Sequence, residues 1–457
     1  MIQMSKDKKV IGNEGITDAR QLGVPRMLVL GFQHMFAMFG ATVLVPLLTG
    51  LDVATTLLMA GLGTLLFHLI SKGKVPAFLG SSFAFLGGYA AVAPLDAADN
   101  AQKLPYACFG VACAGLVYLV LAALIKLVGI NKVMRFFPPV VTGPIIICIG
   151  LGLAGSAVNN CATNWPLAII ALAIVVIFNI WGKGMSKIIP ILLGVVGAYV
   201  IALLVGNVGG VEGWAIDFTA VKGAAWIGLP VHKANTILAV DWSNTSLIIS
   251  SIVAIVPISL ATMMEHIGDV SAIGATCGKN FIKEPGLHRT LIGDGLATTL
   301  SSVFGGPANT TYGENTGVLA LSKVYDPRVV RLAAIFAVLL SFSPKFAAVI
   351  NSLPTAIIGG ISFVLYGMIS AIGVRNVVEN KVDFSKSRNL IVAAVILVCG
   401  LGLGSVSFSI GGVGITLSAL AVASIVGIVL NAIFPGKDYN FDETGYTNAK
   451  PDKVNEK

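Results

Sequence analysis

The sequence predicts an all-α polytopic membrane protein with fourteen transmembrane segments, arranged as two inverted repeats of seven. Three observations carry this prediction. First, 56% of the 457 residues are hydrophobic and only 11% are charged, with a mean hydropathy of +0.87. A soluble domain carries about 25% charged residues, so this chain lacks the charge to cover a water-facing surface of its size. That excludes a soluble enzyme, a nucleic-acid binder and a disordered scaffold. Second, the apolar residues gather in runs of bilayer length. Third, polar breaks in those runs recur at nearly constant offsets. The 52 glycines agree, because small residues let membrane helices approach closely.

A spanning helix needs about 20 mainly apolar residues. In chain order the candidates are 27–49, 53–71, 78–94, 105–128, 136–156, 165–182, 186–206, 246–270, 287–305, 312–323, 328–350, 354–374, 388–405 and 413–434. The first run is too long for a signal-peptide core and has no small-residue cleavage site behind it, so it reads as an uncleaved span. Segment 78–94 opens F-L-G-S-S-F-A-F-L-G-G, and the short segment 312–323 follows G-G-P-A-N-T-T-Y-G-E-N. Such glycine-rich, polar stretches read as discontinuous segments that line a cavity rather than face lipid. The 207–245 stretch is the longest loop and holds Trp214, Trp226 and Trp242. Tryptophan prefers the membrane interface, so this stretch reads as an external linker joining two halves. Residues 1–26 and 435–457 read as cytoplasmic tails.

Charge tests the count. With the N-terminus inside, only Lys103, Lys222, Lys233 and Lys345 fall in outer loops, and the other 26 of 30 basic residues fall on the inner side. This is the cytoplasmic bias of multi-pass proteins, and it puts both termini inside a cell (inner) membrane. A miscounted span would scramble the alternation. The net charge of +8 has the same origin and implies no nucleic-acid partner. The six cysteines show no C-x-x-C and no metal-ligand spacing, so they read as small buried hydrophobes. No cofactor and no metal is called for.

The repeat appears in matched pairs. Pro76 precedes Phe83 as Pro307 precedes Glu314, at an offset of 231. Gln33–His34 matches Glu265–His266 at 232, and Pro138 with Gly143 matches Pro354 with Gly359 at 216. Segments 1, 3 and 5 thus match 8, 10 and 12. Seven is odd, so the second copy is upside down. Inverted repeats with breaks at corresponding places mark secondary transporters.

Four of the 22 acidic residues fall inside spans: Glu265, Asp269, Asp294 and Glu314. A charge at the bilayer centre costs at least about 2.5–3.5 kcal/mol, so these groups face a cavity or a partner. Asp294, between two glycines near the inner end of its span, looks structural. Glu265 and Asp269 are four apart and share one helical face. Two such carboxylates in low dielectric do not both ionise easily, which suits proton coupling or a ligand site. Glu314 opens a half-helix, whose free N–H groups and dipole supply donors. Phe83, after Ser81 and Ser82, holds the matching position. Backbone donors, carboxylate acceptors and aromatic faces together suit a small planar ligand with alternating N–H and C=O groups. An anion would want a lysine or arginine there. His34 and His266 each read more readily as interhelical bonds, while Gln33, Tyr312 and Tyr366 stand between the two readings.

The stretches F-Q-H-M-F-A-M-F-G-A-T-V-L-V-P (32–46), K-G-K-V-P-A-F-L-G-S-S-F-A-F (72–85), E-H-I-G-D (265–269), E-P-G-L-H-R-T-L-I-G-D-G-L (284–296) and N-T-T-Y-G-E-N-T-G-V-L-A-L-S-K-V-Y (309–325) resemble the nucleobase–ascorbate transporter family. The likeness runs from about Gln21 to Pro435. It implies a core domain from segments 1–4 and 8–11 (27–128 and 246–350) and a gate domain from segments 5–7 and 12–14 (136–206 and 354–434). It also implies short strands in segments 3 and 10, and a homodimer. Carried over by residue, it makes Glu265 and Glu314 acceptors for ring N–H groups. Backbone groups of Phe83 and Gly313 meet ring carbonyls, and Tyr312, Tyr366 and Ser82 line the site. Glu265, Asp269 and His266 become the proton-coupling set.

The family signature begins here with Glu314, as in its uracil carriers, where glutamine marks purine carriers. Glutamate offers acceptors only, and glutamine also offers donors. The implied function is uracil:proton symport, with the core rocking against the gate. The chain departs from the uracil carriers in having Asp269 where they have histidine, and Ser322–Lys323 where they have threonine–arginine. A purine (xanthine or urate) symporter, a sodium-coupled nucleobase carrier, and an anion exchanger or channel on the same fold remain as alternatives.

Overall fold

The computed structural model describes residues 15–410 and 413–436. Most of both predicted tails, 1–14 and 437–457, lies outside the described residues. Segments 1 and 2 are α1 (Val24–Thr49) and α2 (Val53–Ile70). Pro25 sits in the first turn of α1 and Gly50 closes it at φ 85°, a left-handed cap that glycine adopts without strain. Segment 3 is broken as expected: β1 (Leu79–Ser81), a short turn, then the half-helix α3 (Leu86–Val92). Segment 4 is the long α4 (Asn100–Val128), followed by the short α5 (Ile130–Met134). Segment 5 is α6 (Pro139–Gly152) continued by α7 (Ala154–Ala162), and segment 6 is α8 (Trp165–Trp181). Segment 7 comprises α9 (Met185–Ile188), α10 (Pro190–Ala202) and a final wide turn to Val208. The linker carries only α11 (Thr219–Gly223) and two single turns.

The second repeat begins with α12 (Thr245–Ile255) and α13 (Ser259–Cys277), separated at Pro257. Proline cannot donate to the helical ladder, so segment 8 is two helices where hydropathy suggested one. Next come α14 (Leu287–Val303), β2 (Asn309–Thr311) and α15 (Gly313–Ser322). Segment 11 is α16 (Pro327–Ser341) and α17 (Pro344–Asn351), bent by 88° at their junction. Segments 12 and 13 are α18 (Thr355–Glu379) and α19 (Ser387–Gly402).

The last segment differs from expectation. A hairpin of β3 (Ser405–Ile410) and β4 (Val413–Ser418) precedes α20 (Ala419–Ile433), so helix begins six residues later than 413. The run S-V-S-F-S-I alternates strictly, as strands do. β4 lies against α3 and α12.

Seven helical stretches are long and apolar enough to cross a membrane alone, and the bent α16–α17 pair makes an eighth. Four shorter apolar helices stand beside them among the described residues: Phe83–Val92, Trp165–Trp181, Ser387–Gly402 and Ala419–Ile433. The helices fall into two groups. In one, α4 packs on α14 and α12, α2 on α14 and α16, and α1 on α16. In the other, α18 packs on α6, α7 and α8, α8 on α10, and α19 on α6 and α20. The largest apolar cluster joins the groups, with Met38 and Phe83 from the first and Ile191, Ala198, Ile357 and Tyr366 from the second. On α8, Ile169 and Ile180 stay about 60% exposed, as lipid-facing side chains do in a multi-pass protein. All six cysteines are free, four of them buried.

Candidate functional site

The two broken segments meet. β1 and β2 pair antiparallel with Leu79 opposite Thr311 and Ser81 opposite Asn309. Two more backbone bonds extend the ladder: Tyr312 N–H donates to Phe78 O at 2.9 Å, and Ser82 N–H to Ala308 O at 2.9 Å. Backbone this deep in a membrane protein must find partners within the protein, and neighbouring side chains supply the rest. Thr298 Oγ1 donates to Asn309 O at 2.6 Å, and Leu79 N–H donates to Thr64 Oγ1 at 2.9 Å. Asn309 Nδ2 donates to Met59 O at 2.7 Å. Gly80 has no alternative: a Cβ there would stand 2.7 Å from Thr42 Oγ1 and from the Tyr312 ring. The Tyr312 hydroxyl donates to Ser81 O at 2.8 Å and accepts from Thr42 Oγ1 at 3.3 Å. It braces one strand against the other.

Each strand feeds a half-helix. β2 leads into α15, where Gly313 opens the first turn and Glu314 follows. The Tyr312 side chain makes no cap at the start of α15. The face of α13 that carries Glu265 and Asp269 meets this end. Asp269 Oδ1 lies 3.4 Å from where a Gly313 Cβ would sit, within van der Waals contact of this turn. Glu265, Asp269 and Glu314 are near enough to act on one another electrostatically, and Asp294 acts on the first two. Glu265, Asp269 and Glu314 are all half-buried.

On the other side, Phe83 meets Tyr366 of α18 edge to face, with ring centroids 6.0 Å apart. That contact joins the two helix groups at the site. Ser82 is buried, and its hydroxyl has no hydrogen-bond partner among the described residues. A buried orphan hydroxyl is costly unless something bonds it. The structure thus brings together Phe83, Ser82, Tyr312, Gly313, Glu314, Glu265, Asp269 and Tyr366.

His266 sits elsewhere, in a buried polar layer. Its Nδ1 is 3.2 Å from Thr311 Oγ1 and 3.5 Å from Asp294 Oδ1, and its ring meets Phe67 edge to face. His34 accepts Asn315 Nδ2 at its backbone oxygen at 3.0 Å, tying α1 to α15. The braces Thr42, Thr64, Asn309 and Asn315 were not singled out from the sequence. The signal was present: each is a hydrogen-bonding residue in an otherwise apolar or glycine-rich stretch.

Paired broken helices, acceptors beside a half-helix N-terminus and two helix groups meeting at the site define a secondary transporter. Comparison with known proteins narrows this. The permease family pattern matches residues 25–408. The uracil permease of Bacillus caldolyticus is 42% identical over 427 residues, covering 91% of this chain and 93% of that protein. The uracil permease of Bacillus subtilis (strain 168) is 40% identical, over 94% and 97%. The putative pyrimidine permease RutG of Escherichia coli (strain K12) is 39% identical, over 90% and 89%. Among solved structures, the transmembrane domain of a cyanobacterium bicarbonate transporter, BicA, superposes with TM-score 0.58 at 16% identity, over 92% of this chain and 99% of that one. SLC26A9 gives TM-score 0.64 at 14% identity, over 91% and 65%. These two share the fold alone. The chain belongs to the nucleobase–ascorbate transporter family of permeases, and is a nucleobase transporter rather than an enzyme.

Proposed function

We propose that the chain imports uracil together with protons. The observation that carries this reading is the convergence of Glu265 and Glu314 on the strand-paired break. Acceptors there meet the N-terminus of a half-helix, matching a ring that alternates N–H and C=O. Glu265 and Glu314 take the ring N–H groups. The backbone of Phe83 and Gly313 meets the carbonyls, Tyr366 and Phe83 stack about the ring, and Ser82 offers its unpartnered hydroxyl. Tyr312 contributes its ring, its hydroxyl being committed to Ser81 and Thr42. The names of the relatives support uracil as cargo. Neither 78–94 nor 309–322 contains a lysine or arginine, which favours an uncharged ligand over an anion.

Three carboxylates in one low-dielectric cluster do not all stay ionised without a cation among them. In this reading Glu265 and Asp269 share the coupled proton, and His266 relays strain or charge from β2 to Asp294. Proton and uracil each favour the same conformation, so the proton gradient drives uptake. The first helix group acts as the core and the second as the gate, in a homodimer with both termini cytoplasmic.

The test is uracil uptake into vesicles under an imposed pH or sodium gradient, for the wild type and Glu265→Gln. A charged-group hydrogen bond contributes about 1.5–3 kcal/mol, so the variant should bind uracil at least about tenfold more weakly. Uptake in the wild type should follow the pH gradient. Undiminished uptake by Glu265→Gln, or stimulation by sodium alone, overturns the corresponding part. Competition by xanthine would move the cargo to purines.

A further inference from the structure

A cavity of about 1040 Å³ opens beside the strap that precedes α1 and shares no lining residue with the candidate site. Four stretches wall it: that strap, the loop after α2, the loop after α13 and the start of α16. Six basic side chains and three carboxylates border it. The carboxylates are already committed. Asp18 pairs with Arg20 at 2.7 Å and with Arg328 at 2.8 Å. Asp326 accepts the Ala19 N–H at 2.7 Å and faces Arg328 at 3.4 Å, and Glu284 pairs with Lys74.

That leaves Lys279, Lys283 and Arg331 without a carboxylate partner among the described residues. Arg331 is half-buried, with Nη1 3.8 Å from where a Cβ on Gly73 would sit. It belongs to the cavity wall rather than to a freely solvated fringe. The 15-residue helix α16 also begins on this wall at Pro327, its first turn capped by Asp326, which accepts the Arg328 N–H at 2.9 Å. Here three cations without a carboxylate partner among the described residues converge on one concave space whose own carboxylates already have cationic partners.

We propose that this cavity binds a phosphate-bearing anion, supplied either by the headgroup of an anionic lipid or by a free phosphate compound. Its walls lead directly into β1 and out of α15, so an occupant would brace the cradle that carries Glu314.

The test uses the full-length protein in two arms, delipidated for the first and reconstituted into lipid for the second. In one, inorganic phosphate is titrated against thermal stability, with chloride at matched ionic strength as control. In the other, the protein is taken from vesicles of equal parts phosphatidylcholine and phosphatidylglycerol, and retained phosphatidylglycerol is counted by native mass spectrometry. Saturable binding in the first arm assigns a free phosphate, and in the second a lipid headgroup. Lys279 and Lys283 are exposed on the rim, so Lys279→Gln/Lys283→Gln leaves packing untouched. It should weaken binding about fivefold per lysine, and Arg331→Gln should weaken it further. Wild-type binding should fall steeply with added salt. No saturable binding in either arm, equal binding by the lysine variant, or indifference to salt overturns the proposal.

Discussion

Asp18 ties the strap before α1 to Arg328 at the start of α16. Hydrogen bonds from the Arg20 side chain, reinforced by Arg328, hold its carboxyl at about 2, below the ordinary 3.8. The strap also runs beside the chain after α15, where Ile16 N–H donates to Lys323 O and Tyr325 N–H to Ile16 O, both at 2.7 Å. A carboxyl depressed on folding stabilises the docked strap fully above its unfolded value and loses that effect as pH falls through about 2. Peptic cleavage within residues 16–23, normalised to a free peptide of the same sequence, should therefore stay slow at pH values above 3.8 and rise toward 2. Asp18→Asn should raise it at pH values above 3.8 and converge with the wild type toward 2. A flat profile that the variant matches would detach the strap from Asp18. This strap was not legible in the sequence, because its partner lies 307 residues away, where Ala19 meets Asp326. The carboxylates Glu265 and Glu314 were legible, because charge in a span is rare enough to stand out.

At the scale of elements, glycine pairs decide which helices touch. Gly115 on α4 and Gly295 on α14 face each other: a Cβ on either would stand about 2.5 Å from the other's carbonyl oxygen. The repeat-related segments 5 and 12 cross in the same way, with a Gly373 Cβ placed 2.7 Å from Gly143 O. Without water to drive association, such close packing is a principal source of helix–helix affinity in a bilayer. Gly295→Val should push α14 from α4, disturb the neighbouring Asp294–His266 layer and cost about 1–3 kcal/mol. A lowered unfolding midpoint in detergent would show it, and an unchanged midpoint would refute the contact. Hydropathy located nearly every span because bilayer thickness fixes length. It missed the β3–β4 hairpin because 413–434 is apolar throughout, and a short apolar run fits strand and helix alike. It missed the break at Pro257 because hydropathy is blind to a lost N–H.

For the whole molecule, transport by rocking requires contacts that one conformation makes and the other breaks. The packing of α1 on α10 is such a contact, because α1 belongs to the group proposed as core and α10 to the group proposed as gate. Its tightest point is Gly40, where a Cβ would stand 3.0 Å from Ile191 Cβ and closer still to its branched methyl group. That separation is slightly shorter than a disulfide prefers, about 3.5–4.5 Å between Cβ atoms, so a small outward shift accommodates one. The clash comes from the isoleucine branch itself, so the two positions must be changed together. Gly40→Cys/Ile191→Cys, in a background with the six native cysteines replaced, should cross-link on mild oxidation. If the two groups rock across this contact, oxidation should reduce uracil uptake to background and a reductant should restore it. Either single variant should remain indifferent to oxidant. Uptake that persists after the bond has formed would mean that α1 and α10 travel together. The division into core and gate would then have to be drawn elsewhere in the chain.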